Sequence, residues 1–99
     1  MAEWVYFIYV DREDFAATMT PEEDAVWDEH FDGLRKLLSA GSLILAGPTL
    51  GRVNTGIIIF EARDEESARA IMQADPTVAR GFARGELRPM RVALLRGRD

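Results

Sequence analysis

The single histidine of this chain, His30, and a small set of carboxylates are the residues best suited to move a proton. Imidazole titrates near neutral pH, so a histidine that meets a ligand serves as general acid or base. His30 falls three residues after Trp27 and four before Leu34, on or beside the apolar stripe of a helix. A lone histidine so placed is more often a core-edge residue held by a backbone or carboxylate hydrogen bond, and spacing leaves both readings open. Asp75 is the most informative acid. The series Ala68, Ile71, Met72 and Asp75 shares one face of a second helix, so this carboxylate faces the core side and needs a partner. One reading makes it a helix-end acid bonded to the following turn at Asp75-Pro76. The other pairs it with His30, where it would orient the ring and fix its tautomer.

Other polar residues say less. Gly47-Pro48 is either plain turn chemistry or the wall of a substrate-binding pocket. Ser39 and Thr49 are candidate polar donors to a ligand, although Ser39 near a helix end is commonly structural. Glu22, Glu23, Asp24, Asp28, Glu29 and Asp32 read as the solvated face of the first helix. One histidine and no cysteine argue against a dedicated transition-metal site. Trp4, Tyr6 and Tyr9 read as sheet packing. No phosphate-binding glycine loop or nucleotide fingerprint occurs.

The elements that must position these groups are legible from pattern. Trp4 to Val10 is a β-branched and aromatic run, read as a strand apolar on both faces. Asp11 to Met19 reads as a polar connection. Thr20-Pro21-Glu22-Glu23 carries a cap, a proline at the first helical position and a capping-box acid; the helix then runs to Gly41. Leu43 to Ala46 is a second strand, Gly47 to Gly56 a loop or long hairpin, and Ile57 to Phe60 a third strand. Asp64-Glu65-Glu66 opens the second helix, which Pro76 ends at Asp75. Val78 to Phe82 adds a helical turn. Leu87 to Leu95 is the last strand, and Pro89 within it requires a sheet edge. The order is β-α-β-β-α-β, which gives an α+β ferredoxin-like fold with both helices on one face of an antiparallel sheet.

Bulk properties bound the function. With 99 residues the chain makes one domain, spanning residues 1–99, and a domain this small gains from association. Hydrophobic residues at 47% and charged residues at 29% describe a globular protein. The absence of cysteine, of a signal peptide and of any apolar run long enough to cross a membrane makes the cytoplasm the expected location. The net charge of −5 is uneven: Asp11 to Asp32 holds nine acids and one base, whereas Arg80 to Arg98 holds six arginines and one acid. The acidic half opposes nucleic-acid binding, and the arginines read as a solvated face or as ion-pair partners. Two helices cover only one face of the sheet, yet both faces of strands one and three are apolar. A bare apolar face is covered most simply by a second copy about a two-fold axis, and otherwise by the polar loop or tail.

The ordered set of His30, Ala46-Gly47-Pro48 and Ala74-Asp75-Pro76, with an aromatic first strand and Gly56 to Glu61, resembles the YciI-like (YCII-related) family along nearly the whole chain. The resemblance implies a ferredoxin-like homodimer in a dimeric α/β-barrel-like assembly, with an active site at His30 and Asp75. It implies likeness to cofactor-free dimeric barrel enzymes of the muconolactone isomerase type, and to an enzyme that removes chloride from a hydroxylated ring. The chain departs from the family at Thr77, where many members carry an aromatic residue. Three functions follow as expectations. The first is a cofactor-independent lyase, dehalogenase or isomerase acting on a small cyclic or aromatic substrate. The second is a non-catalytic dimeric module binding a small organic ligand or a partner. The third is a dimer with no ligand site, which requires a closed groove between the helices and the Gly47–Gly56 loop.

Overall fold

The computed structural model describes residues 1–98 and contains a four-stranded antiparallel sheet in the order β2-β3-β1-β4. The strands are β1 (Ala2–Tyr9), β2 (Leu43–Pro48), β3 (Thr55–Ala62) and β4 (Arg84–Met90). The helices are α1 (Pro21–Ser39), α2 (Glu65–Ala74) and the single turn α3 (Pro76–Ala79). This is the ferredoxin-like α+β arrangement that the element order predicts. No helix among the described residues is long and apolar enough to cross a membrane.

Local chemistry sets the helix limits. Thr20 Oγ1 accepts from Glu23 N at 3.1 Å, and the Glu23 carboxylate accepts from Thr20 N at 2.8 Å, so two orphan donors of the first turn are satisfied reciprocally. The Arg12 hydrogen bond and the Thr20 amide hold Glu23 well below the usual carboxylate range, at about 2. The helix ends at Gly41, whose φ of +87° lies in the left-handed region that favours glycine. Asp64 caps α2 by accepting from Ser67 N at 2.8 Å.

The core lies between the helices and one sheet face. Alternation on β1 turns Trp4, Tyr6 and Ile8 towards the helices, where they pack with Leu34, Ile58, Phe60, Ala68 and Met72. Val26, His30 and Leu34 recur every four residues as the buried side of α1. Gly56 sits opposite Ile8, and a Cβ there would stand 3.1 Å from Ile8 Cβ, so glycine permits the close approach of β1 and β3.

Several boundaries differ from the sequence reading, each for a physical reason. The last strand runs Arg84–Met90, not Leu87–Leu95, because β1 offers it no partner beyond Glu3, which pairs with Met90. Its edge position is as Pro89 requires. The chain then turns back: Val92 N donates to Glu3 Oε1 at 2.7 Å, and Arg98 bonds the other oxygen at 3.1 Å. The hairpin loop is shorter than read, since β2 continues through Pro48 and β3 begins at Thr55. Within β2 the register shifts: Leu43 pairs with Phe60 but Leu45 with Ile59, leaving Ile44 as the extra residue. Leu43 and Ala46 therefore both face the helices, and Pro48 follows on that side. The connection Asp11 to Met19 is not wholly solvated. Its 3-10 turn Phe15–Ala17 buries Phe15 against Trp27, with ring centroids 4.7 Å apart.

Candidate active site

His30 and Asp75 meet. Nδ1 of the imidazole lies 2.7 Å from Asp75 Oδ2, and both side chains are almost completely buried. The pairing follows from how the elements end. The helical face that buries Val26 and Leu34 carries His30 inwards, while Pro76 stops α2 just after Ala74 and leaves Asp75 extended at the corner. Asp75 also caps the next turn: its Oδ1 accepts from Thr77 N at 3.0 Å and from Thr77 Oγ1 at 2.7 Å. The two readings of this acid thus hold together, one oxygen serving the turn and the other the histidine.

The sequence reading missed a further partner. Tyr6 Oη donates to Asp75 Oδ2 at 2.6 Å across 69 residues of chain. Tyr6 was expected only to pack, and it does pack, edge-on to Phe60; its position on the inner face of the central strand β1 also brings its hydroxyl beneath the α2–α3 corner. Burial and the neighbouring carboxylate raise the phenol above its ordinary value, so it remains a donor. For Asp75, burial pushes the carboxyl up, but the hydrogen bonds from His30, Tyr6 and Thr77 outweigh it and the group settles below its ordinary value. Asp75 is therefore an anion that only accepts, and the hydrogen between it and Nδ1 belongs to the ring. Thr77 is fully buried and supplies two of the carboxylate's donors.

Cavities lie on both sides of His30. One, of about 140 Å³, is lined by His30 with Phe15, Met19, Trp27, Phe31, Leu34, Asn54 and residues of the sheet end, among them Gly47, Pro48 and Gly56. The other, of about 210 Å³, is a groove between α1 and α2 lined by Tyr6, His30, Leu37, Ile71, Asp75 and Pro76. The Gly47–Gly56 segment borders the first cavity and not this groove. Nδ1 is engaged with Asp75, which lines only the second cavity. Nε2 makes no hydrogen bond to the described residues, yet no buried side-chain nitrogen or oxygen among them lacks a partner, so Nε2 reaches accessible space.

Of the other sequence-derived site residues, Gly47 and Pro48 line the first cavity. Ser39 is exposed at the end of α1 and lines neither cavity. Thr49 braces the hairpin loop, its hydroxyl donating to Val53 O at 3.1 Å and accepting from Thr55 N at 2.9 Å. Phe15, Met19 and Asn54 line the cavity without having been singled out; the signal available was an isolated phenylalanine in an otherwise polar connection.

No curated protein matches this sequence. Among solved structures, the fold is similar to that of 5-chloro-2-hydroxyhydroquinone dehydrochlorinase from Burkholderia phenoliruptrix, determined in complex with 2,5-dihydroxybenzoquinone. The TM-score is 0.66 at 16% identity, over 89% of this chain and 93% of that one. That likeness concerns the fold. The family model described as the YCII-related domain matches residues 3–91, a span that contains β1 through β4 and every residue of the His30 cluster. The chain belongs to the YCII-related domain family.

Proposed function

We propose that this protein is a small cofactor-independent enzyme in which His30, oriented by Asp75, transfers a proton on a small cyclic or aromatic substrate in the cavity beside it. The observation that carries the reading is the asymmetry of the imidazole: Nδ1 is engaged with a buried carboxylate and Nε2 has no partner among the described residues. An ionised Asp75 fixes the hydrogen on Nδ1, so the neutral ring presents a lone pair at Nε2. The imidazolium formed when Nε2 takes a proton is stabilised by the carboxylate behind it. Tyr6 and Thr77 keep that carboxylate charged and in place. Lyase, dehalogenase and isomerase steps all use such a transfer. The dehydrochlorinase of similar fold binds a small oxygenated ring, which supports a ligand of that size.

Long-range proton–nitrogen NMR of the His30 ring above neutral pH tests this. The expected spectrum has a protonated Nδ1 and an unprotonated Nε2. The reverse tautomer would remove the acceptor and with it the mechanism. A second reading, a binding module that uses the same cavity without catalysis, is favoured by the 5% exposure of His30. Deuterium exchange into a bound ketone separates the two.

Homodimerisation through the outer sheet face is part of the proposal. Glu3, Val5, Phe7 and Tyr9 share that face with Ile57, Ile59 and Leu45. The C-terminal segment returns to its Glu3 end, where Val5 is buried, but Leu45 remains 49% exposed and Phe7, Ile57 and Ile59 are only partly covered. Apolar surface of this kind favours a second copy. Sedimentation at low micromolar concentration is expected to show a dimer; an 11 kDa species alone would assign the cover to the tail. A cytoplasmic setting suits a chain with no cysteine.

A further inference from the structure

The wall of the cavity beside His30 holds very little that can bind a polar group. Among the described residues no aspartate, glutamate, lysine or arginine lines it. Its one amide, Asn54, is already committed: Oδ1 accepts from Ala16 N at 3.0 Å, and Nδ2 donates to Thr49 O and Gly51 O, each at 3.1 Å. Of the side-chain polar atoms that remain among the lining residues, Nε2 of His30 and the indole N–H of Trp27 make no hydrogen bond within the described residues. The remaining side chains are apolar. The volume of about 140 Å³ compares with the dry apolar cavity of about 150 Å³ that accepts one benzene ring.

We infer that this site selects a single-ring ligand carrying one weakly acidic hydroxyl, and that it rejects rings bearing a carboxylate, a phosphate or several hydroxyls. The inference rests on the reading of His30 as proton acceptor and narrows its substrate. Charge decides the first rejection. Asp75 already places one buried negative charge behind the ring. A neutral phenol that hands its proton to Nε2 leaves the net charge of the site unchanged. An arriving carboxylate adds a second anion with no cation in the wall to meet it, so it binds only if His30 takes a proton from solvent. Without that proton two anions would share a largely apolar place, which strongly disfavours binding. Hydrogen-bond supply decides the second rejection. Each further hydroxyl must leave water for an apolar wall, at a cost of about tenfold in affinity per unpaired group. The selectivity differs from what a multiply oxygenated ring, like the one bound by the dehydrochlorinase of similar fold, would need.

Titration of the wild-type protein at pH 8 with phenol, benzoate and benzene-1,3,5-triol, with His30 ring resonances recorded throughout, tests the inference. Phenol is expected to bind at least tenfold more tightly than either competitor and to move the His30 signals. Benzoate or the triol binding as tightly as phenol, with His30 responding, overturns the selectivity and leaves His30 as the ligand site. Failure of phenol to bind at millimolar concentration also overturns it. Phenol binding that leaves the His30 signals unmoved overturns instead the reading on which the inference rests.

Discussion

Replacement of Asp75 by alanine is expected to cost about 4 kcal/mol of folding stability, more than any other change at the site. Four donors converge on this carboxylate: Tyr6 Oη, His30 Nδ1, Thr77 N and Thr77 Oγ1. Truncation strands all four in a buried place and also uncaps α3. Single domains have only about 5–15 kcal/mol in total, so Asp75→Ala is expected to sit near unfolding at room temperature. Asp75→Asn keeps the shape but has one acceptor oxygen where the carboxylate has two, and its amide N–H₂ meets donors. It is expected to lose about 2–3 kcal/mol. Urea denaturation of both variants measures this; a loss below about 1 kcal/mol would show that the network contributes little.

The same variants have a pH signature. Asp75 in the folded protein lies below its ordinary value of 3.8. Its contribution to stability is therefore complete above that value and disappears as pH falls through the lower, folded one. Wild type is expected to lose stability on acidification below about pH 4, and Asp75→Asn to show a shallower acid limb because it has already lost that part. Equal slopes would mean that other acids dominate acid unfolding.

Removal of the proton acceptor itself is expected to have the largest effect on chemistry. Cyclohexanone is neutral, has one ring and one oxygen, and reports proton abstraction as deuterium uptake at the carbon beside its carbonyl in D2O. Wild type is expected to accelerate that uptake, and His30→Gln to lower the acceleration by about 10²–10⁴-fold, the usual worth of a positioned general base. Tyr6 and both Thr77 donors still hold Asp75 in this variant, so the fold is expected to persist. Tyr6→Phe should act more gently, through the placement of Asp75 and not through contact with the ligand. No acceleration by wild type would set aside the enzyme in favour of a binding module. Acceleration that survives in His30→Gln would move the chemistry elsewhere.

Much of this architecture is written in local pattern. Caps at Thr20 and Asp64, glycine at 41 and proline at 76 mark helix ends because each satisfies or removes specific backbone groups. The inward course of His30 and Asp75 follows from helical spacing, but their meeting depends on how two helices lie on the sheet, which spacing alone does not contain. Tyr6 shows the limit most clearly. In an aromatic strand a tyrosine looks like packing, and only the topology reveals which acid its hydroxyl finds. Thr77 was legible as a departure from the family and not as a donor. The extra residue at Ile44 was hidden because its neighbours are apolar on either register.

The network around Asp75 is complete in itself: each oxygen has its donors, and among the described residues no buried side-chain polar atom is left over. Its members come from α1, β1 and the α2–α3 corner, whereas the cavity wall also takes Phe15, Ala16 and Met19 from the 11–19 connection and Asn54 from the β2–β3 loop. Part of the ligand-shaping surface is therefore carried by segments that the proton-moving apparatus does not use. Changes at Ala16 or Met19 can alter what fits without touching the four bonds that hold the carboxylate. A lineage built on this plan can change its diet by editing connections while inheriting its chemistry unchanged. An engineer has the same freedom, with those two positions as the place to begin.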